Sequence, residues 1–510
     1  MIKYIFSSRV YTVAFIIILL LYFAFWWCYK LDTLPGLHGD EAWVGLKAYD
    51  YQTQPFDRLS GMTYYTGIIQ TLVVQLSFNI FGIGVYQLRL PGVIINLLAI
   101  MIILSSFIFY RFYKQAVLFT LMLAASTLYV ISARIAWEVN TFNLFFISIS
   151  FASLMVIYHS RENYKLLWIC LFWLSNILGS YNHIIYSCIS VAGFIGLSLW
   201  AIQKDAILSC KLFVLTASNF VNVVLVFLIQ RYNLNFFYQN PEYLPMCIAV
   251  IIGMESAIYY KFFSTSITIG FLPRKFNYLI ISILCLIFVY NHGKGLFDVL
   301  SQYKLILEVY SYECSTLFQT VFTFCATLFV LFAAWLLFDD IKTKANENTI
   351  VAYIIISYMA LLGLYTSKNS LRYYLVIYAA LCLYMAFKLF KNSRSLRIFI
   401  SFQLLIIILI NAALLDIFVH DPIPVRSVDF KIGNDQDETS SAFLPKKPVL
   451  DFLKNNHISK INYLCYPYFI EEPIKFYKLY SPWTESKQDS ALIDYDYTRY
   501  KGGFFLLKSK

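Results

Sequence analysis

Charge is scarce along this chain. Only 14% of its 510 residues are Asp, Glu, Lys or Arg, where a soluble domain carries about 25%. Set beside 60% hydrophobic residues and a mean hydropathy of +0.65, that scarcity excludes the three or so soluble domains that length alone suggests. No two of the ten cysteines have CxxC spacing, and most lie inside apolar runs, so they read as small buried hydrophobes. The six histidines are scattered and their spacing suggests no metal cluster. There is no internal repeat of fixed period. No small-residue cleavage site follows the first apolar run, residues 10–29, which reads as a retained first helix.

What the chain does have is a series of long apolar segments. A spanning helix needs about 20 mostly apolar residues. Thirteen segments qualify as candidates: 10–29, 91–110, 116–133, 141–158, 166–181, 184–203, 212–230, 245–260, 277–290, 317–338, 349–366, 373–387 and 398–418. The eighth is short and carries Glu255, to which the sequence assigns no role. The formal charge of +11 is spread between these segments. Alternate connections are rich in Lys and Arg: Lys3 and Arg9, Arg111 and Lys114, Arg161 and Lys165, Lys204 and Lys211, Lys261 with Arg274 and Lys275, Lys342 and Lys344, and Lys388 with Lys391, Arg394 and Arg397. The positive-inside bias puts these on the cytoplasmic side, which rejects nucleic acid as the partner of the basic charge. An odd number of spans then places the N-terminus inside and the C-terminus outside.

Residues 64–81 are long enough to cross, yet counting them as a span inverts the loops that follow. They carry Gln70, Gln75, Ser77 and Asn79 and are read as an interfacial helix on the outer leaflet, with a fourteenth span as the alternative. Residues 30–90 thus form one long external loop, and loops of that length usually carry function. After Phe418 the chain turns polar. Residues 448–457 have helical spacing, 460–467 alternate like a strand, and 471–480 are helical again. The expected architecture is a polytopic α-helical membrane domain over 1–418, of about thirteen transmembrane helices, followed by a small external α/β domain over 419–510.

Chemistry has few places to reside. Asp40 and Glu41 stand about ten residues beyond the first span. A carboxylate at the membrane surface suits proton acceptance, but acids also favour the first turn of a helix. Glu138, at the outer end of the third span, falls on the same side as Asp40. The two either flank one reaction centre or hold a divalent cation together, unless Glu138 simply pairs with Arg134 at i, i+4. Lys368 and Arg372 are basic residues on the outer side, against the bias. Arg372 suits a lipid phosphate through its planar fork; snorkelling to headgroups is the alternative. His183 joins the fifth and sixth spans and either touches substrate or is a satisfied interfacial residue. Trp43, Tyr64 and Tyr65 suit a sugar platform, as they would an aromatic belt.

The order of these features resembles the membrane glycosyltransferases of the GT-C class, among them the protein O-mannosyltransferase family and the bacterial aminoarabinose transferases that modify lipid A. The residues that carry the resemblance run in sequence: Asp40-Glu41 after one span, the aromatic stretch from Gly61 to Gly67, Arg89-Leu90-Pro91-Gly92 before the second span, Ala133-Arg134 with Glu138 before the fourth, and Arg372-Tyr373 opening a late span. Pro448 to Leu453 and Glu472 to Tyr477 look like the tail domain of such proteins. The resemblance implies an inverting transferase of the bacterial plasma membrane. Its donor is a polyprenyl-phosphate sugar and its acceptor a protein, lipid or polysaccharide on the outer face. Asp40 is the implied catalytic carboxylate, with Glu41 as neighbour and Glu138 as second acid. The implied substrate-binding residues are Arg372, Lys368, His183, Tyr64, Tyr65 and Arg134. No cofactor is required beyond a possible divalent cation on Asp40 and Glu138. Where lipid A-modifying relatives carry Lys-Gly, this chain has Tyr181-Asn182-His183. A transporter or flippase for lipid-linked sugars is the competing class.

Overall fold

A computed structural model of the chain describes residues 9–54, 60–63, 65–159, 165–204, 207–232, 243–261, 266–268, 274–310, 314–342, 350–364, 371–389, 393–420, 447–463, 468–482, 486–494 and 505–509. It is mostly helical. In order come α1 (Arg9–Cys28), α2 (Gly39–Thr53), α3 (Ile69–Phe81), α4 (Val85–Phe109), α5 (Tyr113–Ala124), α6 (Thr127–Ser132), α7 (Glu138–His159), α8 (Lys165–Asn182) and α9 (Ile184–Lys204). After the short strand β1 (Ile207–Ser209) follow α10 (Cys210–Tyr232) and α11 (Tyr243–Lys261), then β2 (Ser266–Thr268), which pairs antiparallel with β1. The remaining membrane-type helices are α12 (Arg274–Leu300), α13 (Tyr303–Tyr310), α14 (Thr316–Lys342), α15 (Ile350–Gly363), a 3-10 turn at Leu371–Tyr374, α16 (Leu375–Lys388) and α17 (Ser393–His420).

Among the described residues, helical structure lies over each of the thirteen apolar segments, though not always as one unbroken helix. Among the described residues, six helical stretches are long and apolar enough to cross a bilayer by length and composition: those beginning at Arg9, Val85, Glu138, Ile184, Thr316 and Ile398. The chain is accordingly a multi-pass membrane protein. Its outer surface agrees with that reading. Along α14, Leu317, Phe324, Leu331 and Phe338 recur every seven residues and are 54–75% exposed, an apolar stripe that water would not tolerate and lipid does.

Helix α5 is the hub. Residues 116–125 are all buried, as expected of a helix apolar on every side. It packs against α1 and α16, while α4 packs on α7, α7 on α8 and α9 on α15. The segment 116–133, expected as one span, is broken after Ala124. Thr127 N–H and its hydroxyl both donate to the Gln302 side-chain oxygen, at 2.8 and 2.9 Å, and the hydroxyl also reaches Gln302 O at 2.9 Å. A threonine whose N–H and hydroxyl bond outside the helix lets the chain restart as the short α6.

Helix α3 is 13 residues, about 20 Å long and short of a bilayer core. It stops at Gly82, whose φ of +81° is open to glycine at no steric cost. The C-terminal part contains α18 (Lys447–Asn455), β3 (Ile458–Tyr463), α19 (Tyr468–Tyr480), β4 (Ser486–Asp494) and β5 (Phe505–Ser509). The strands form a sheet in the order β3-β4-β5, the first pair parallel and the second antiparallel. Of the strand expected at 460–467, residues 464–467 lie outside the described residues. Helix α19 docks on α2. Phe476 is fully buried and stacks on Phe78 at 6.0 Å, and a Cβ at Gly45 would stand 2.4 Å from its ring.

Candidate active site

Helix α2 sets the site, and its cap separates the two adjacent acids. His38 is the N-cap: its Nδ1 accepts from Asp40 N–H at 2.9 Å, and its own N–H donates to Glu41 Oε2 at 3.1 Å. Glu41 is thereby turned inward. Arg89, near the start of α4, meets it with Nε to Oε1 and Nη2 to Oε2, both at 2.8 Å. Ala136 N–H adds a bond to Oε1 at 2.8 Å. Four donors fill a carboxylate's acceptor sites. The remaining Arg89 donors go to the carbonyls of Leu31, Pro35 and Gly36 at 2.8–3.2 Å. Both side chains are 0% exposed. Removing either partner leaves a buried charge unpaired, at about 3–5 kcal/mol. In the structure Glu41 therefore ties α2 to α4 and to the segment before α7, with no acceptor site left for a substrate.

Asp40, one residue earlier, points the other way and keeps 13% exposure. Its Oδ2 lies 3.5 Å from Arg372 Nη1 and 3.7 Å from His38 Nδ1. Its Oδ1 lies 3.1 Å from the Tyr468 hydroxyl, the donor, which is also 3.2 Å from Met62 Sδ. Arg372 comes from the 3-10 turn before α16. Its guanidinium stacks 4.2 Å over the Trp137 ring and 5.4 Å from that of Tyr373, which fixes the plane of the fork. Trp137 in turn meets His38 edge-on at 5.0 Å.

A cleft of about 280 Å³ opens beside these groups, and Asp40, Trp43, Met62, Gln70 and Glu138 are among its walls. The two acids expected to share a site thus do face one cavity. Glu138 starts α7 and stands 3.8 Å from His183 Nε2. His183 is 1% exposed and its Nδ1 accepts from Ile185 N–H at 3.1 Å, which leaves the ring proton on Nε2, towards Glu138. Burial first, and Arg372 second, push its pKa down to about 3, so the ring is neutral.

Other expected residues have different surroundings. Arg134 is 1% exposed and donates to the carbonyls of Trp26, Tyr29, Lys30 and Leu34, with Phe418 4.9 Å from its guanidinium. It ties down the end of α1 and the turn beyond it, and the i, i+4 pair with Glu138 is not among these contacts. Tyr65 packs edge-on against His183 at 5.5 Å, and its carbonyl accepts from Ile184 N–H at 3.1 Å. Lys368 and Tyr64 lie outside the described residues. Around the two acids a guanidinium stands on Asp40 and an imidazole N–H faces Glu138, and among the described residues no group of three His, Cys, Asp or Glu is placed to hold a metal ion.

Sequence reasoning missed Tyr468, Gln70 and the cap made by His38. The cap had a signal, a polar side chain just ahead of two acids at a helix start, and Gln70 had one in being polar within an apolar run. Tyr468 is 428 positions from Asp40, beyond any local pattern.

No protein-family model matches the chain, and no curated protein is similar to it. Solved structures are. ArnT from Cupriavidus metallidurans bound to undecaprenyl phosphate is 12% identical over 97% of this chain and 95% of that one, with a TM-score of 0.44. Its apo form is 10% identical over 95% and 94%, at 0.41. The archaeal oligosaccharyltransferase AglB from Archaeoglobus fulgidus, in complex with an inhibitory peptide and a dolichol-phosphate, is 13% identical over 80% of this chain and 55% of that one, at 0.45.

Proposed function

We propose that the chain is a membrane glycosyltransferase that takes a sugar from a polyprenyl-phosphate donor and passes it, with inversion, to an acceptor on the outer face of the plasma membrane. One observation carries the reading. A partly exposed carboxylate, Asp40, stands 3.5 Å from an arginine that is held flat on a tryptophan, at the edge of a cleft that a second acid, Glu138, also lines. A sugar phosphate needs both groups, a cation for the phosphate and a base for the acceptor's proton, and a donor that draws Arg372 to its phosphate frees Asp40 for the second task.

The step is a single displacement. The acceptor's oxygen or nitrogen forms a bond to the anomeric carbon as the bond from that carbon to the phosphate oxygen breaks. The electron pair leaves with the polyprenyl phosphate, and the acceptor's proton passes to Asp40. Arg372, with Lys368 as a second cation, takes the phosphate charge as it grows, and releases Asp40 from its ion pair in doing so. Glu138 orients the acceptor. Glu41 and Arg134 act through the scaffold, as positioning residues. Tyr468 keeps Oδ1 of Asp40 directed.

The test is turnover by purified protein supplied with polyprenyl-phosphate sugars and a membrane extract as acceptor. Release of polyprenyl phosphate, followed by mass spectrometry, is expected from wild type and should fall about 100-fold or more in Asp40→Asn. An Asn variant that turns over like wild type sinks the assignment. Binding of the lipid without release by either protein favours the transporter reading.

A further inference from the structure

Gln70, the second residue of α3, is 2% exposed, and neither its Oε1 nor its Nε2 has a hydrogen-bond partner. A buried primary amide with every bond unmade weakens a fold, and an apolar side chain of its size would pack at least as well. Nearby polar groups are turned elsewhere. Thr66 Oγ1 donates to Thr63 O at 3.0 Å, and the Asp40 oxygens face Tyr468 and Arg372. Yet Gln70 forms part of the wall of the same cleft as Asp40 and Glu138. A polar side chain placed against a reactive cleft with its donors and acceptor idle is arranged for a ligand.

The chemistry of the amide says which kind. It offers donors and an acceptor and carries no charge. A phosphate has acceptors only and would leave Oε1 facing oxygen, while the cation suited to phosphate, Arg372, sits on Asp40. A hydroxyl both donates and accepts, and so satisfies Gln70 at both atoms. We propose that Gln70 binds a ring hydroxyl of a neutral sugar in this cleft and so selects which sugar reacts. The assignment rests on the glycosyltransferase reading and extends it from the reacting centre to recognition. The hydroxyl belongs either to the donor's sugar or to a sugar-bearing acceptor.

Two substitutions in the full-length protein test it. Gln70→Met keeps the length and removes both polar atoms; Gln70→Glu keeps the shape and an acceptor but removes the donors. Each is compared with wild type for melting temperature, for affinity towards bare undecaprenyl phosphate and towards undecaprenyl phosphate carrying a hexose, an N-acetylhexosamine or an aminopentose, and for kcat and both KM values. Gln70→Met is expected to melt no lower than wild type, because the unmade bonds are gone. It should bind bare undecaprenyl phosphate as wild type does. Against the preferred sugar-bearing lipid its affinity should fall about tenfold or more, since a site built around a hydroxyl discriminates by the bonds it loses. Unchanged donor affinity with an acceptor KM about tenfold higher would assign the hydroxyl to the acceptor. Affinities and KM values within about twofold of wild type in both variants would overturn the proposal, whatever happens to melting temperature. A wild type that binds and releases no sugar-bearing lipid would instead bring down the transferase reading, and the sugar assignment with it.

Discussion

His183 is 1% exposed, receives a backbone N–H on Nδ1 and is edged by Tyr65 and tilted against Tyr373 at 5.7 Å. Its pKa of about 3 lies below the ordinary value near 6.5, mainly through burial and then through Arg372. The sign follows from linkage. The folded state favours the neutral ring, so its contribution to stability is whole above pH 6.5 and is lost as pH falls towards 3. Melting temperature in detergent should fall between pH 6.5 and 4 more steeply for wild type than for His183→Asn, which keeps an acceptor near Nδ1. Parallel slopes would mean that the histidine is not held neutral. For the same reason no activity step between pH 6 and 8 belongs to this residue, so a histidine at the site does not make it a general base.

Among elements, the pairing of α2 with α19 matters most, because it brings the C-terminal part to Asp40. The pairing depends on closeness. A Cβ at Gly39 would lie 2.7 Å from the Tyr468 ring, and one at Gly45 would lie 2.4 Å from that of Phe476. Phe476 cannot yield easily, being fully buried against Phe78. Gly45→Val should therefore push α19 outward and lengthen the Tyr468–Asp40 contact, with a stability loss of about 1–3 kcal/mol from overpacking. Turnover should fall along with melting temperature, and Phe476→Ala on the Gly45→Val background should restore part of the turnover by making room. Gly45→Val with wild-type melting temperature and turnover would show that the two helices do not depend on this close approach. The break between α5 and α6 is the other element-scale departure from the sequence. Hydropathy carries 116–133 as one apolar run, and only the distant Gln302 explains why the helix stops at Ala124.

For the molecule as a whole the governing fact is which surface faces lipid. The exposed apolar stripe on α14 and the six long apolar helices make the bilayer the solvent of the outer face. The alternation of basic loops then predicts opposite sides for the two ends, with residues 419–510 outside. A single cysteine placed near Lys510 in a cysteine-free variant should react with a membrane-impermeant maleimide on intact cells, and one placed at Lys114 should react only after permeabilisation. The reverse pattern would invert the topology. It would also move Asp40 to the cytoplasmic side, where a nucleotide sugar becomes the natural donor.

Much of this molecule is legible in one dimension because its physics is one-dimensional. Hydropathy is a sum over neighbours, so the helices over the apolar segments and the short polar-faced helix within 64–81 are read directly from the chain. The acidic pair Asp40-Glu41 is visible as a helix start for the same local reason. Its division of labour is not. Asp40 and Glu41 are chemically alike and adjacent, and what separates them is Arg89, Ala136, Tyr468 and Arg372, contributed from 48 to 428 positions away. Arg134 looks like a ligand-binding cation until the folded chain presents it with four carbonyls around the turn after α1. Gln70 looks like a polar intrusion in an apolar helix until the cleft forms around it. Burial and the supply of hydrogen-bond partners are properties of a three-dimensional neighbourhood, and they decide which polar residues hold the fold and which are left for chemistry.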